Sequence, residues 1–474
     1  MSSNRESLEI CYLPATELSG LIQRKELSPV EVVQAHLARI DATEPTLNSF
    51  ITLLPDQALA DAKTAESEIQ SGNYRGPLHG IPITLKDLYY LKGVRNTSGS
   101  KIFHDFVPDF DSTITSKLKN AGTVILGKTN THQFAYGITG ENPDYGDMHN
   151  PWNPQRITGG SSGGSVSSVA SGQSTLTMGS DTGGSIRVPS SLCGLVGLKP
   201  TYGRLSRYGL TALSWSQDHP GPMARTVADC AMLMNATAGY DPKDPATSQN
   251  SVPDYTGALT GGVKGLRVGV PKEFFEAPLD SEVERAVRQA INLLEQMGAV
   301  VKEISWPMYT YAAPIATVIQ MAEATSYHAD LVRSRGGEYA KPVRLLLEAG
   351  FFLSAPQLNR AHQARTLFVN QTLELLQDVD VLAGPMTPIT AHKIGATEVT
   401  VGSTTMTPRA ALTQYTRPYN LSGFPAISVP CGFSAEGMPI GLQLGARPFA
   451  EETLLRTAHV YEQATQWHQR RPSL

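Results

Sequence analysis

The sequence predicts an α/β fold, a β-sheet covered by helices on both faces, and two observations carry that prediction. Strand-like and helix-like segments alternate along the whole chain, and no Pro/Ser-rich or charged linker divides its 474 residues. Taken in order, residues 15–40 carry the apolar spacing of amphipathic helices. Leu18, Leu21 and Ile22 precede the Leu27-Ser28-Pro29 break, and Val30, Val33, His36, Leu37 and Ile40 follow it. Residues 59–71 form a further helix. Ile81, Ile83 and Leu85 then mark a buried strand ending at Lys86. A helix over 112–120 stops at Gly122 and leads into a strand at Val124-Ile125-Leu126. A small-residue helix over 166–172 is followed by a strand-like run over 173–178. Beyond them lie a strand at 266–270, a helix over 281–297 capped by Asp280 and stopped by Gly298, and a strand at 300–304. Strands at 379–383, 426–430 and 440–444 and a closing helix over 451–466 complete the series, and Gly257–Gly265 reads as a surface loop.

Composition bounds the class. With 41% hydrophobic residues and a formal net charge of −4, the chain holds ample material for a large core. It carries no basic stripe or aromatic–basic repeat, so nucleic acid is not expected as a partner. No apolar run is long enough to span a bilayer, and Met1–Ser7 lacks the basic-then-apolar layout of a leader, so no membrane association and a cytoplasmic location are expected. The four cysteines, Cys11, Cys193, Cys230 and Cys431, form no C-x-x-C pair. That pattern predicts neither a disulfide framework nor a zinc site, and no metal or cofactor is expected. The eleven histidines are scattered, and His79, nearest the chemistry, reads as structural.

The chemistry concentrates between Gly159 and Arg187. Two glycine–serine clusters stand there, Gly159-Gly160-Ser161-Ser162-Gly163-Gly164-Ser165 and Gly179-Ser180-Asp181-Thr182-Gly183-Gly184-Ser185-Ile186-Arg187, with Lys86 upstream in its apolar run. Glycine removes the Cβ atoms that would hold a substrate carbonyl away from backbone amides. Serine supplies hydroxyls, and a lysine neutralised by burial can take a proton from one of them. The combination reads as a serine hydrolase without histidine in its proton path. Helix and strand resume directly after the first cluster, which excludes a flexible linker.

Two other motifs are set aside. Residues 122–129, Gly-Thr-Val-Ile-Leu-Gly-Lys-Thr, match the P-loop pattern, but Val124, Ile125 and Leu126 are themselves the strand and have no free amides to wrap a phosphate. Ser116-Lys117-Leu118-Lys119 matches a Ser-x-x-Lys pattern, yet its charges read as a solvated helix face without the partner motifs.

Lys86 and the two clusters resemble the amidase signature family. The flanks agree as well: Leu126-Gly127-Lys128-Thr129-Asn130, Asn150-Pro151-Trp152, Pro189-Ser190 and Cys193-Gly194-Leu195-Val196-Gly197-Leu198-Lys199-Pro200-Thr201. The resemblance implies one compact domain around a large mixed sheet. Residues 1–72 would be N-terminal helices, 73–230 the core bearing the catalytic residues, and 231–474 a part lining the substrate pocket. It further implies Ser185 as nucleophile, Ser161 as bridging serine on a cis Gly160–Ser161 bond, and Lys86 as base. The amides of Thr182, Gly183, Gly184 and Ser185 are expected to form the oxyanion hole. Gly160, Ser162, Asp181 and Arg187 are expected to hold the loops in shape, the last two by pairing.

For the substrate pocket the resemblance implies Tyr136, Gly137, Ile138 and Thr139 within 136–142, parts of 312–327 and 413–420, and Arg365. The chain is similar over nearly its full length to the branch of the family that supplies glutaminase subunits of tRNA-dependent amidotransferases. Arg365 falls where that branch holds the glutamine carboxylate, whereas its tyrosine and aspartate fall at Ala316–Thr317 and Thr413. A free ammonium group would lack its counter-ion there. The expected activity is therefore hydrolysis of small neutral or aryl amides, with esters or carbamates also accommodated, by a monomer or homodimer. The alternatives are an amidotransferase component, working only with partner chains docked on an exposed apolar patch, and a catalytically silent binding protein.

Overall fold

The computed structural model describes residues 8–474, so Met1–Ser7, read above for a leader, lies outside the described residues. Eleven strands form one mixed sheet. In chain order they are β1 (Phe50–Leu53), β2 (Pro82–Lys86), β3 (Val124–Thr129), β4 (Leu176–Asp181), β5 (Val196–Lys199), β6 (His219–Ala224), β7 (Arg267–Pro271), β8 (Val300–Ile304), β9 (Val381–Pro385), β10 (Ala426–Phe433) and β11 (Pro439–Ala446). Across the sheet the order is β1-β3-β2-β4-β6-β5-β10-β11-β9-β7-β8. β2 runs parallel to both neighbours, and the β6-β5-β10-β11-β9 section is antiparallel.

Every residue of β2, β3, β4, β6, β9 and β11 is buried. Because successive side chains point to opposite faces, a strand buried throughout is covered on both sides. Ile83, Leu85, Leu176, Met178, Ile427 and Leu442 belong to one continuous core that crosses the sheet. The chain is a single compact α/β domain, as the alternation implied.

Local signals fix the elements. Ser28 accepts from Val30 N and starts the helix Pro29–Leu47, completing a capping box with Glu31. Asp280 caps Ser281–Gln296 through Glu282 N at 2.8 Å, and Ser112 caps Thr113–Asn120 through Thr115 N at 3.1 Å. The differences from the sequence reading lie at boundaries. The helix expected to end at Ile40 continues to Leu47, the strand expected from Val379 begins at Val381, and β4 begins at Leu176 and runs on to Asp181. Where packing continues past the apolar run, the element continues with it. Among the described residues, no helix is long and apolar enough to cross a membrane.

Candidate active site

The site lies where two parallel strands end. β2 and β4 pair with Leu85 opposite Met178, so Lys86 at the end of β2 emerges beside the end of β4. Lys86 Nζ lies 2.9 Å from Ser180 Oγ and 2.7 Å from Ser161 Oγ. The lysine is fully buried, and burial pulls it down from the usual lysine range to about 7 against the opposing pull of Asp181 and Asp218. Ser161 sits on the turn before the helix Gly163–Ala170, where the Gly160–Ser161 peptide is cis. The segment 131–138 stitches that turn in place. Thr131 Oγ1 and His132 N donate to the Ser161 carbonyl at 2.9 and 3.2 Å, and Gly160 N donates to Ile138 O at 2.6 Å. A Cβ on Gly160 would come within 2.6 Å of Gly140 N, so the close approach requires glycine. Ser162 Oγ donates to Ser180 O at 3.2 Å and ties the two clusters together.

The loop after β4 is held by a buried ion pair. Arg187 Nε and Nη2 donate to the two Asp181 oxygens at 3.0 and 3.1 Å, with both side chains excluded from solvent. Gln443 accepts from Arg187 Nη1 and Asn420 from Nη2, each at 2.8 Å, and Thr416 O accepts from Nη2 at 3.3 Å. Burial opposes the charge on Asp181, but Arg187 and Asn420 outweigh it and hold the carboxyl well below its ordinary range.

This clamp corrects one expectation. Gly184 N donates to Asp181 Oδ1 at 2.8 Å and is therefore not free for an oxyanion. The amides of Thr182, Gly183 and Ser185 have no such bond among the described residues. The Thr182 side chain turns away, its Oγ1 donating to Asp218 Oδ1 at 2.6 Å.

Ser185 is 4% exposed and opens on a pocket of about 260 Å³ walled by Tyr136, Gly137, Ile138, Thr182, Gly183 and the arginines Arg409 and Arg417. Ser161 and Lys86 are in contact, while no hydrogen bond joins Ser161 Oγ to Ser185 Oγ among the described residues. Such contacts tighten in many enzymes only when substrate arrives. Thr139 does not line the pocket. Neither does Arg365, whose Nη1 and Nη2 donate to Ser216 Oγ and Ser216 O at 2.8 and 3.0 Å. The pocket guanidiniums are Arg409, which no sequence signal singled out, and Arg417, which fell inside the 413–420 segment. Ser180 and Asp218 were also missed, although Ser180 stands within the second glycine–serine cluster.

Lys128 of the P-loop match lies inside β3, fully buried, with Nζ 2.9 Å from Asp87 Oδ1 and 2.8 Å from Asn96 Oδ1. Lys117 is only half-buried and donates to Thr237 O and Ala238 O, so it ties off a neighbouring helix end besides facing solvent. His79 Nε2 lies 3.1 Å from Glu68 Oε2, in a separate cavity. Among the described residues no three His, Cys, Asp or Glu side chains gather as a metal-binding group, and all four cysteines are buried and free.

A buried lysine bonded to serine, beneath a glycine-rich serine loop at the end of a mixed sheet, is an arrangement that fits a hydrolase. The chain belongs to the amidase signature family, whose model, described as Amidase, matches residues 31–455. It is 45% identical to a glutamyl-tRNA(Gln) amidotransferase subunit from Roseiflexus sp. (strain RS-1), with 98% of each chain covered. A solved structure described as part of a vestigial protein complex that reveals the origins of an s-triazine catabolic enzyme superposes with a TM-score of 0.92. It is 35% identical and covers 95% of this chain and 98% of its own. A bacterial aryl acylamidase of the amidase signature enzymes gives 0.89 at 26% identity, covering 97% of this chain and 98% of its own.

Proposed function

We propose that this chain hydrolyses amide bonds through an acyl-enzyme on Ser185. Neutral Lys86 takes a proton from Ser161 Oγ as Ser161 takes one from Ser185 Oγ, and Ser185 attacks the amide carbonyl carbon. The free amides of Thr182, Gly183 and Ser185 receive the oxyanion. When the tetrahedral intermediate collapses, the C–N bond breaks and the proton returns through Ser161 to the departing amine. Water then attacks the ester under the same base and releases the acid. The observation that carries this reading is the 2.7 Å contact from a lysine with no solvent access, pulled down to about 7, to a serine beside the pocket of Ser185. Esters and carbamates pass through a similar intermediate and are expected as further substrates.

The test is turnover of anilides, a primary amide, a p-nitrophenyl ester and an aryl carbamate by the purified chain, against Ser185→Ala. Cleavage that survives the substitution sinks the assignment. A second reading, an amidotransferase component, is favoured by the 45% identity to the Roseiflexus protein. Against it, the walls of the Ser185 pocket and of the groove outside it hold no carboxylate for an amino acid's ammonium group. Glutamine hydrolysis that appears only when partner chains are added would reverse that preference.

A further inference from the structure

The pocket beside Ser185 carries two positive charges and no negative one. Arg409 and Arg417 line it, and none of its wall residues is acidic. Arg417 is 3% exposed, and its one hydrogen bond among the described residues runs from Nη1 to the neutral amide oxygen of Gln320 at 2.5 Å. The Arg409 guanidinium rests 5.3 Å from the Tyr136 ring centroid. Burial and the charge of Arg409 draw Arg417 down to about 9.

Arg187 shows what a structural arginine looks like in this protein. Equally buried, it has both Asp181 oxygens, Gln443 and Asn420 as acceptors. A buried charge is ordinarily paired, and two neighbouring guanidiniums without a carboxylate leave a deficit that a ligand can fill with matched geometry.

We propose that Arg409 and Arg417 form a carboxylate-binding subsite, so that the amide this enzyme cleaves bears a second carboxylate at the end of a short acyl chain. The proposal rests on the reading of Ser185 as the acylated residue. Shortness follows from position. A Cβ built on Gly183, two residues from Ser185, would stand 2.8 Å from Arg417 Cζ, so the guanidinium packs directly on the catalytic loop. Both arginines also line an outer groove of about 1020 Å³ open to solvent, which places them at the throat between Ser185 and bulk water. A neighbouring chamber shares Thr182 and Leu213 with this pocket; its walls are apolar at Leu88, Leu210 and Trp215 and polar at Arg207, Asp218 and His219, and the apolar side suits an aryl amine. The small neutral or aryl amide expected from the sequence is thereby replaced by one with an anionic acyl group.

The experiment is a calorimetric titration of Ser185→Ala with succinanilic acid and with its uncharged counterpart butyranilide. Binding of the acid at least about tenfold tighter, lost on adding Arg409→Gln or Arg417→Gln and partly kept by Arg417→Lys, is the expected result. Should Arg417→Gln not fold, the partly exposed Arg409 carries the test. Equal binding of the two anilides, or an advantage unchanged in the variants, overturns the proposal. Wild-type turnover separates the two claims. Selective binding with neither aniline release nor fluorophosphonate labelling of Ser185 sinks the catalytic reading and leaves the subsite. Equal kcat/KM for both anilides leaves the hydrolase and sinks the subsite.

Discussion

Lys86 Nζ and Ser161 Oγ stand 2.7 Å apart with no solvent access to either residue. In that position a charged lysine has only hydroxyl oxygens as hydrogen-bond partners, and burial draws it to about 7 against the pull of Asp181 and Asp218. The base is the neutral form, so kcat/KM should be low in acid, rise tenfold per pH unit below an inflection near 7, and level off above it. A profile of kcat/KM against pH with an ester substrate reads this directly. A flat profile from 5 to 9 would falsify the role of Lys86 as proton acceptor.

Replacing the amine while keeping the bulk isolates the chemistry from the packing. Lys86→Met should lower kcat by about 10²–10⁴-fold, the range ordinarily lost with a general base. The melting temperature should hold or rise, because a buried amine gives way to an apolar chain of similar volume. A variant that retains wild-type kcat would remove lysine from the mechanism, whatever its stability.

The turn bearing Ser161 tolerates no side chain at its first residue. In Gly160→Ala the new methyl meets Gly140 N at 2.6 Å and Ile138 C at 3.2 Å, backbone atoms that cannot swing aside. Overpacking of this kind costs about 1–3 kcal/mol. It should also shift Ser161 relative to Lys86, so fluorophosphonate labelling of Ser185 should slow by more than the stability loss alone explains. Urea midpoints and labelling rates measured on one preparation separate the two effects.

What the sequence made legible follows from range along the chain. Lys86 was readable because Ile81, Ile83 and Leu85 precede it in a buried strand, and Ser161 and Ser185 because glycine at such density between packed elements has few uses. The convergence of Arg409 and Arg417 was not. They belong to two short helices, Pro408–Thr413 and Arg417–Ser422, and only tertiary folding turns them toward a loop more than two hundred residues upstream. Arg365 shows the converse. Its place in the chain suggested a ligand, yet Ser216 holds it outside the pocket. Nor does a run of glycines reveal which amide is free, since Gly184 N is taken by Asp181 Oδ1.

That same carboxylate gives the last prediction. Asp181 bonds Arg187 twice while also accepting from the amides of Gly184 and Ile186, so it joins the floor of the loop to the loop itself. Removing either charge alone leaves the other buried and uncompensated, at about 3–5 kcal/mol. Asp181→Leu and Arg187→Leu should each melt far below wild type, and the double variant should lose much less than the sum of the two. The pH dependence has a definite sign. The folded-state pKa of Asp181 is depressed, so its contribution is fully present above the ordinary carboxylate range and fades as pH falls below it. Wild type should therefore lose part of its melting temperature in acid that Asp181→Leu does not lose. Equal acid sensitivity in the two proteins, with additive single variants, would mean that the pair does not hold the loop.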